Sequence, residues 1–321
     1  MKLRQLGRTG LTVSEIGYGA WGIGKSEWVG ARDELSLESL QAARDSGINF
    51  FDTALAYGDG HSERLLAQAF GNAREVIMAS KVPPKNGIWP ARRGSTLEEV
   101  FPRKYVLGCL ERTLKNLGRE TVDLYQFHVW NDDWANQEQW QSMVEEIRRS
   151  GKARFIGISI NDHQPANSLQ ALASGLVDAV QVIYNIFDQS PDDKLLPYCH
   201  KNQIGVLARV PFDEGSLTGK IGPDSEFPAG DFRNQYFAGG RKQQVWEHLQ
   251  RLVEDTGITI DQLPGEALRF CLSHPAVSSV IPGMRTPAHV AANVKASNRG
   301  PLSAALLEKI HRHRWVRNYY E

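Results

Sequence analysis

Asp52, Tyr57, Lys81 and His128 are the side chains that, taken together, could move a proton to or from a carbonyl oxygen. A tyrosine phenol titrates near ~10, so it is a poor proton donor or acceptor at neutral pH unless a neighbouring cation stabilises its phenolate. Lys81 can supply that cation. Asp52 can hold the ammonium charged and in place, and His128 can orient a carbonyl oxygen. A tyrosine tuned in this way is a general acid for a carbonyl being reduced and a base for the reverse oxidation. Each residue alone has a plainer explanation: a lysine after a strand is usually solvated, and a histidine closing an apolar run usually belongs to the core. Their common placement, at the ends of consecutive apolar runs, is what favours chemistry.

The elements that must position them follow a regular pattern. The run Ile48, Phe50, Phe51 stops at Asp52; a small-residue loop then carries Tyr57, and Gly58 and Gly60 lead to a helix from about Ser62. Apolar runs at 76–80, 122–127, 153–158, 179–182, 205–208 and 278–281 each precede a helical pattern, at 103–117, 135–150, 165–173, 192–202, 241–255 with 261–273, and 287–296. With a first strand at 15–19 and a helix from Ser36, eight strand-helix units result, which predicts a closed (β/α)8 TIM barrel. A doubly wound sheet would need a GxGxxG turn leading straight into a helix, and Gly17, Gly19, Gly22 and Gly24 do not meet that requirement. Residues 2–14 predict an N-terminal β-hairpin. The connections after the third strand (82–102, with four prolines and Trp89) and after the seventh (209–240) are long enough to cover a ligand. No linker divides the chain, so residues 1–321 are expected to form one domain.

Composition narrows the function classes. Lys and Arg total 37, as do Asp and Glu, so no bulk field recruits nucleic acid or an anionic membrane. Cys109, Cys199 and Cys271 are far apart and fit neither a zinc motif nor a disulfide framework. No apolar leader or membrane-length run is visible, and a cytoplasmic protein is the expectation. A metal-dependent barrel hydrolase would need several strand-end His and Asp ligands, whereas His128 is the one strand-end histidine; no metal is expected.

The opening RQLGRTGLTVSEIGYGAWGIG, the block GINFFDTALAYGDGHSE, Lys81, DLYQFH and IPGMR resemble the aldo-keto reductase superfamily over about residues 2–296. The block from residue 36 is also similar to the β subunits of potassium channels. The resemblance implies Asp52, Tyr57, Lys81 and His128 as the catalytic tetrad and an extended nicotinamide cofactor, NADPH or alternatively NADH. It implies reduction of an aldehyde or ketone to an alcohol by direct hydride transfer, with Tyr57 as general acid. The alternative function is a cofactor-binding regulatory subunit of a membrane protein.

The resemblance places Gly19, Ala20, Trp21 and Gly283 beside the cofactor, and Ser159 and Gln181 at its carboxamide. Ile160 separates Ser159 from Asn161, where the family has Asn directly. Arg209-Val210-Pro211-Phe212 replaces a tyrosine-containing motif; a guanidinium can lie flat on a ring, with Asp213 or Glu214 offsetting its charge. Ser216, Leu217 and Lys220 follow, the last assigned to the pyrophosphate. Thr286 and Pro287 read as N-cap and first residue of a helix whose free amides favour phosphate. Arg285 before them suits an adenosine 2′-phosphate, and His289 and Asn293 fall on the adenine side. Trp21, Trp89 and Trp130, with Tyr57 and Phe212, are expected to wall a pocket for a small carbonyl or sugar-like substrate. The basic, aromatic tail ending HRHRWVRNYYE could cover the pocket or a barrel end; oligomeric state is left open.

Overall fold

The computed structural model describes residues 1–160 and 163–316. The chain begins with an antiparallel hairpin, β1 (Leu3–Gln5) and β2 (Thr12–Ser14), in which Leu3 faces Ser14. Then come β3 (Tyr18–Gly19), β4 (Phe50–Asp52), β5 (Ile77–Val82), β6 (Val122–Phe127), β7 (Ala153–Ser159), β8 (Ala179–Ile183), β9 (Gly205–Arg209) and β10 (Val277–Val280). These eight strands pair in parallel in chain order. Parallel bridges Ile16 to Val280 and Gly19 to Gly283 bring the last strand back to the first.

Among the described residues the helices are α1 (Asp33–Asp45), α2 (His61–Phe70), α3 (Leu97–Val100), α4 (Arg103–Leu117), α5 (Glu138–Arg149) and α6 (Leu169–Ala173). They continue as α7 (Leu195–Lys201), α8 (Arg233–Tyr236), α9 (Arg241–Thr256), α10 (Leu263–Ser273), α11 (Pro287–Arg299) and α12 (Ala304–His311). None of them is long and apolar enough to cross a membrane.

Side chains alternate across each strand, and the core divides accordingly. Phe50, Ile77, Ala79, Leu124, Ala179, Leu207 and Ile281 point inward and pack together. Phe51, Met78, Tyr125, Phe127, Ile156, Val180 and Val206 belong to the larger core that includes buried helix residues. Leu6, Leu11 and Val13 of the hairpin join the inner cluster, so the hairpin fills one end of the barrel. Gly205 makes this possible: a Cβ there would lie 2.6 Å from Leu6 Cδ1.

Several boundaries differ from the sequence expectation. The strand expected over 15–19 is only Tyr18–Gly19. Across the closing seam Gly17 N–H donates to Val280 O, and Glu15 O accepts from Val280 N–H. The helix expected over 165–173 is only Leu169–Ala173. Asn167 and Ser168 hold a turn there instead, Ser168 donating to Pro165 O at 2.8 Å and Asn167 to Trp130 O at 3.1 Å. Inside 82–102, α3 carries a capping box between Thr96 and Glu99. In the tail, Trp315 stacks on His248 with centroids 3.8 Å apart. Arg312 and His313 bond Asp255, and Arg314 bonds Asp193. The described tail thus lies on α9 and the β8–α7 connection; residues 317–321 are outside the described chain.

Candidate active site

The inward rows of hydrophobic residues end in polar ones at the carboxyl ends of the strands. Phe50 is followed on its face by Asp52, and Ile77 and Ala79 by Lys81. Leu124 is followed by Gln126 and His128, Gly157 by Ser159, Ala179 by Gln181, and Leu207 by Arg209. Strand register sets these side by side, Lys81 opposite Gln126 and Ser159 opposite Gln181. The site is therefore the last inward layer of the barrel, where the apolar fill stops.

Asp52 is its centre. Lys81 Nζ donates to Asp52 Oδ2 at 2.5 Å and to Thr53 O at 2.9 Å. Gln126 and Gln181 donate to Asp52 Oδ1 at 3.1 and 2.8 Å. The Tyr57 hydroxyl accepts from the same ammonium at 3.4 Å. The loop after β4 holds Tyr57 in place through Gly58, which has a left-handed φ of 66° and lies so near Gly24 that a Cβ would meet its carbonyl oxygen at 1.9 Å. His128 stands edge-on to Tyr57 (centroids 5.6 Å) and to Trp89 (4.5 Å), and Trp21 is stacked beside Tyr57 at 6.3 Å. The buried His128 Nδ1 has no protein partner.

Burial decides the charge states. It pushes the Tyr57 phenol well above its usual range, reinforced by the Asp52 charge and opposed by Arg209. It depresses His128 well below the usual imidazole range, with the Lys81 and Arg209 cations adding to the effect. Lys81 is lowered by burial and raised in part by Asp52. Near neutrality the site presents a protonated phenol and a neutral imidazole. The net shift of Tyr57 is thus upward even with the Lys81 ammonium 3.4 Å away.

Asp52, Tyr57 and His128 open onto a cleft of about 1320 Å³, larger than the ~300–1,000 Å³ of ordinary small-ligand pockets and roomy enough for a dinucleotide beside a substrate. Gly19, Ala20, Trp21, Trp89, Ser159, Gln181, Arg209, Pro211, Phe212, Lys220, Gly283, Arg285, His289 and Asn293 line it, as the sequence leads one to expect. Lys81 lies just behind, fully buried.

Other expected residues lie elsewhere. Trp130 is 1% exposed in a cluster with Phe127, Trp134 and Trp140, its Nε1 donating to Asp132, so it does not face the cleft. Ser216 turns its hydroxyl to Asp213, and Leu217 is fully buried; Gly215 and Thr218 line the cleft from that loop. Asn161 lies outside the described residues.

The cleft also contains residues the sequence did not single out. Glu27 and Trp28 come from the β3–α1 segment, and Phe227, Phe232 and Arg233 from the stretch after β9, where Glu214, one of the two acids expected beside Arg209, lines the cleft as well. The two segments meet: Phe232 N–H donates to Glu27 O at 2.9 Å, and the Arg233 guanidinium lies 4.9 Å from the Trp28 ring centroid. Irregular backbone has no periodicity to reveal such a meeting. Gln126 was legible, because it falls between inward Leu124 and His128. At the far end, Arg285 donates to Val29 O at 3.0 Å, and Thr286 caps α11 by accepting from His289 N at 3.2 Å. Burial first, then the Arg285 and Lys220 cations, depress the His289 imidazole.

The strand ends of a parallel barrel thus carry a buried Asp-Lys-Tyr chain beside a neutral histidine, in a long cleft. The aldo/keto reductase family model matches residues 15–314, and the chain belongs to that family of oxidoreductases. It is 30% identical over 308 residues to the aldo-keto reductase YhdN of Bacillus subtilis, covering 91% of this chain and 87% of that one. It is also 30% identical to a probable voltage-gated potassium channel subunit beta of rice, over 94% and 93% of the two chains. Among solved structures it is similar to the holo form of an aldo-keto reductase from Bacillus halodurans, with TM-score 0.76, 26% identity and coverage of 98% and 96%.

Proposed function

We propose that the protein reduces an aldehyde or ketone to an alcohol with NADPH, Tyr57 giving the proton. The observation that carries this reading is the chain Asp52–Lys81–Tyr57, at 2.5 and 3.4 Å, ending in a hydroxyl on the cleft wall beside His128. The nicotinamide, when bound, supplies the hydride. Tyr57, kept protonated by burial, hands its proton to the carbonyl oxygen, and Lys81 stabilises the phenolate left behind. Neutral His128 offers its ring to the same oxygen. Trp21 and Trp89 wall the substrate end and limit it to a small carbonyl or sugar-like molecule.

The dinucleotide fits the residues present. Gln181 spends its amide nitrogen on Asp52, which leaves its amide oxygen to accept from a carboxamide, and Ser159 is its neighbour across the ladder. Arg285, Arg233 and Lys220 line the cleft as a cationic group next to the start of α11, and that supports NADPH over NADH. The likeness to the rice channel subunit favours a second reading, a cofactor-binding subunit for a membrane partner.

Tyr57→Phe tests the role of Tyr57, and wild-type turnover decides between the two readings. It is expected to lower turnover of a carbonyl panel by about 10²-fold or more, within the usual range for a general acid, while NADPH affinity stays within a few-fold. Near-normal turnover in the variant removes Tyr57 from the mechanism. A wild-type protein that binds NADPH and turns over none of the panel favours the subunit reading.

A further inference from the structure

We propose that Glu214 is the countercharge to Arg209 at the reacting end of the cleft, and that this pair sets how tightly the oxidised dinucleotide is held relative to the reduced one. The inference rests on the reductase reading above. Arg209 closes β9 on its inward face, and its Nη2 donates to Ile160 O at 2.8 Å, directly beyond Ser159. Its buried Nε has no protein partner. Hydride transfer to a carbonyl at Tyr57 requires the nicotinamide ring in this same end of the cleft. The reduced ring is neutral and the oxidised ring carries a positive charge, so a permanently charged guanidinium nearby opposes the oxidised form.

Two acids follow Arg209, and the structure separates them. The Asp213 carboxylate is turned inward, where it accepts from Ser216 and Tyr236 at 2.6 Å each and from Arg241 at 3.4 Å. Glu214 instead lines the cleft. Val210, Asp213 and Glu214 all have left-handed backbone, at φ 54°, 46° and 53°. That conformation is uncommon for non-glycine residues and costly for a β-branched one, and such strain gathers at functional sites. Here the turn leaves Asp213 in the protein and Glu214 on the wall.

The charged groups acting on Glu214 are Arg209 of β9, adjacent Asp213, Glu27 of the β3–α1 segment and Arg233 of α8. Burial raises its carboxyl to about 8, against the pull of Arg209. Below that pH Glu214 is neutral and Arg209 stands uncompensated, so the oxidised dinucleotide is disfavoured. Above it the carboxylate offsets Arg209 and the oxidised form gains. The ratio of Kd for NADP+ to Kd for NADPH therefore falls as pH rises. Near neutrality the pair promotes release of the spent cofactor, which favours the reduction direction.

The test is titration of NADP+ and NADPH against tryptophan fluorescence at about pH 6.5 and about pH 9. The wild-type ratio is expected to fall by several-fold to about tenfold across that interval, the scale of one screened charge pair. Glu214→Gln keeps the high ratio at both pH values, and Arg209→Met lowers the ratio at pH about 6.5. Glu214→Gly, which suits the left-handed backbone, carries the same expectation if the glutamine variant does not fold by circular dichroism. A Glu214 variant that keeps the wild-type pH dependence, or a wild-type ratio that does not move, overturns the proposal. A wild-type shift with no turnover of any carbonyl sinks the reductase reading and leaves the charge pair standing.

Discussion

At the scale of single residues, the site is a solution to burying charge. Asp52 and Lys81 are almost wholly out of water, and a buried ion pair persists when further hydrogen bonds satisfy the remaining atoms. Gln126 and Gln181 do this for Asp52, Thr53 O for Lys81. Two histidines, His128 and His274, take the other course and favour the neutral form. His128 is depressed by burial, then by Lys81 and Arg209, and His274 is brought to about 4 by burial, then by His200 and His311. In the unfolded chain both titrate near ~6.5. Between those values the unfolded chain binds more protons than the native one, so stability rises with pH there and falls as the solution is acidified. The thermal midpoint is expected to be lower at about pH 5 than at about pH 7. Replacing His274 by Asn, whose amide oxygen can still accept from Ala276 N, is expected to shrink the difference while leaving the cleft untouched. An undiminished acid drop in that variant would show that His274 contributes none of it.

At the scale of elements, what was legible follows from periodicity. Asp52, Lys81, Gln181 and Arg209 each lie two residues beyond an inward apolar side chain, so alternation alone carries them to one rim. His128 continues the same alternation from Leu124 through Gln126. Trp130 was misplaced because an aromatic residue just past a strand can turn either way, and here Asp132 claims its indole N–H. Ser216 was placed beside the cofactor by resemblance of its motif, and its hydroxyl is turned to Asp213. Glu27, Trp28 and Phe232 were invisible, since their positions depend on two irregular segments meeting across the cleft. The β10–α11 connection is a case where local signals sufficed: Thr286 caps, Pro287 is the first helical residue, and Arg285 precedes both. Arg285→Ala is expected to weaken NADPH binding by about 10- to 100-fold, the worth of a charged hydrogen bond of ~1.5–3 kcal/mol. NADH affinity should stay within a few-fold, as it lacks the 2′-phosphate. Equal losses for both cofactors would mean that Arg285 acts by holding Trp28 and Val29, which it also touches, and not as a phosphate clamp.

At the scale of the whole molecule, the barrel separates stability from chemistry by end. The hairpin β1–β2 closes the end at which the strands begin, and the cleft occupies the end at which they finish. Leu6 is the centre of the closure: it is fully buried, seated where Gly205 has no side chain, and packed in the inner cluster with Leu11 and Val13. Arg8 N–H donates to Gln203 O at 2.7 Å, just before β9, and Arg4 reaches Leu272 O of α10 and Val277 O of β10, so the hairpin is tied to the segments around the starts of both late strands. Removing the Leu6 side chain leaves a cavity that flanking backbone cannot collapse into. Leu6→Ala is therefore expected to cost ~2–5 kcal/mol, the range for burying a cavity of that size in a packed core. The folded fraction should bind NADPH as the wild type does, because the inward Phe50, Ala79, Leu124 and Leu207 lie between the plug and the polar layer. Urea unfolding and an NADPH titration on the same samples check both halves. If cofactor affinity falls in step with stability, the two ends are coupled through the barrel interior, and stability and chemistry are not separable in this fold.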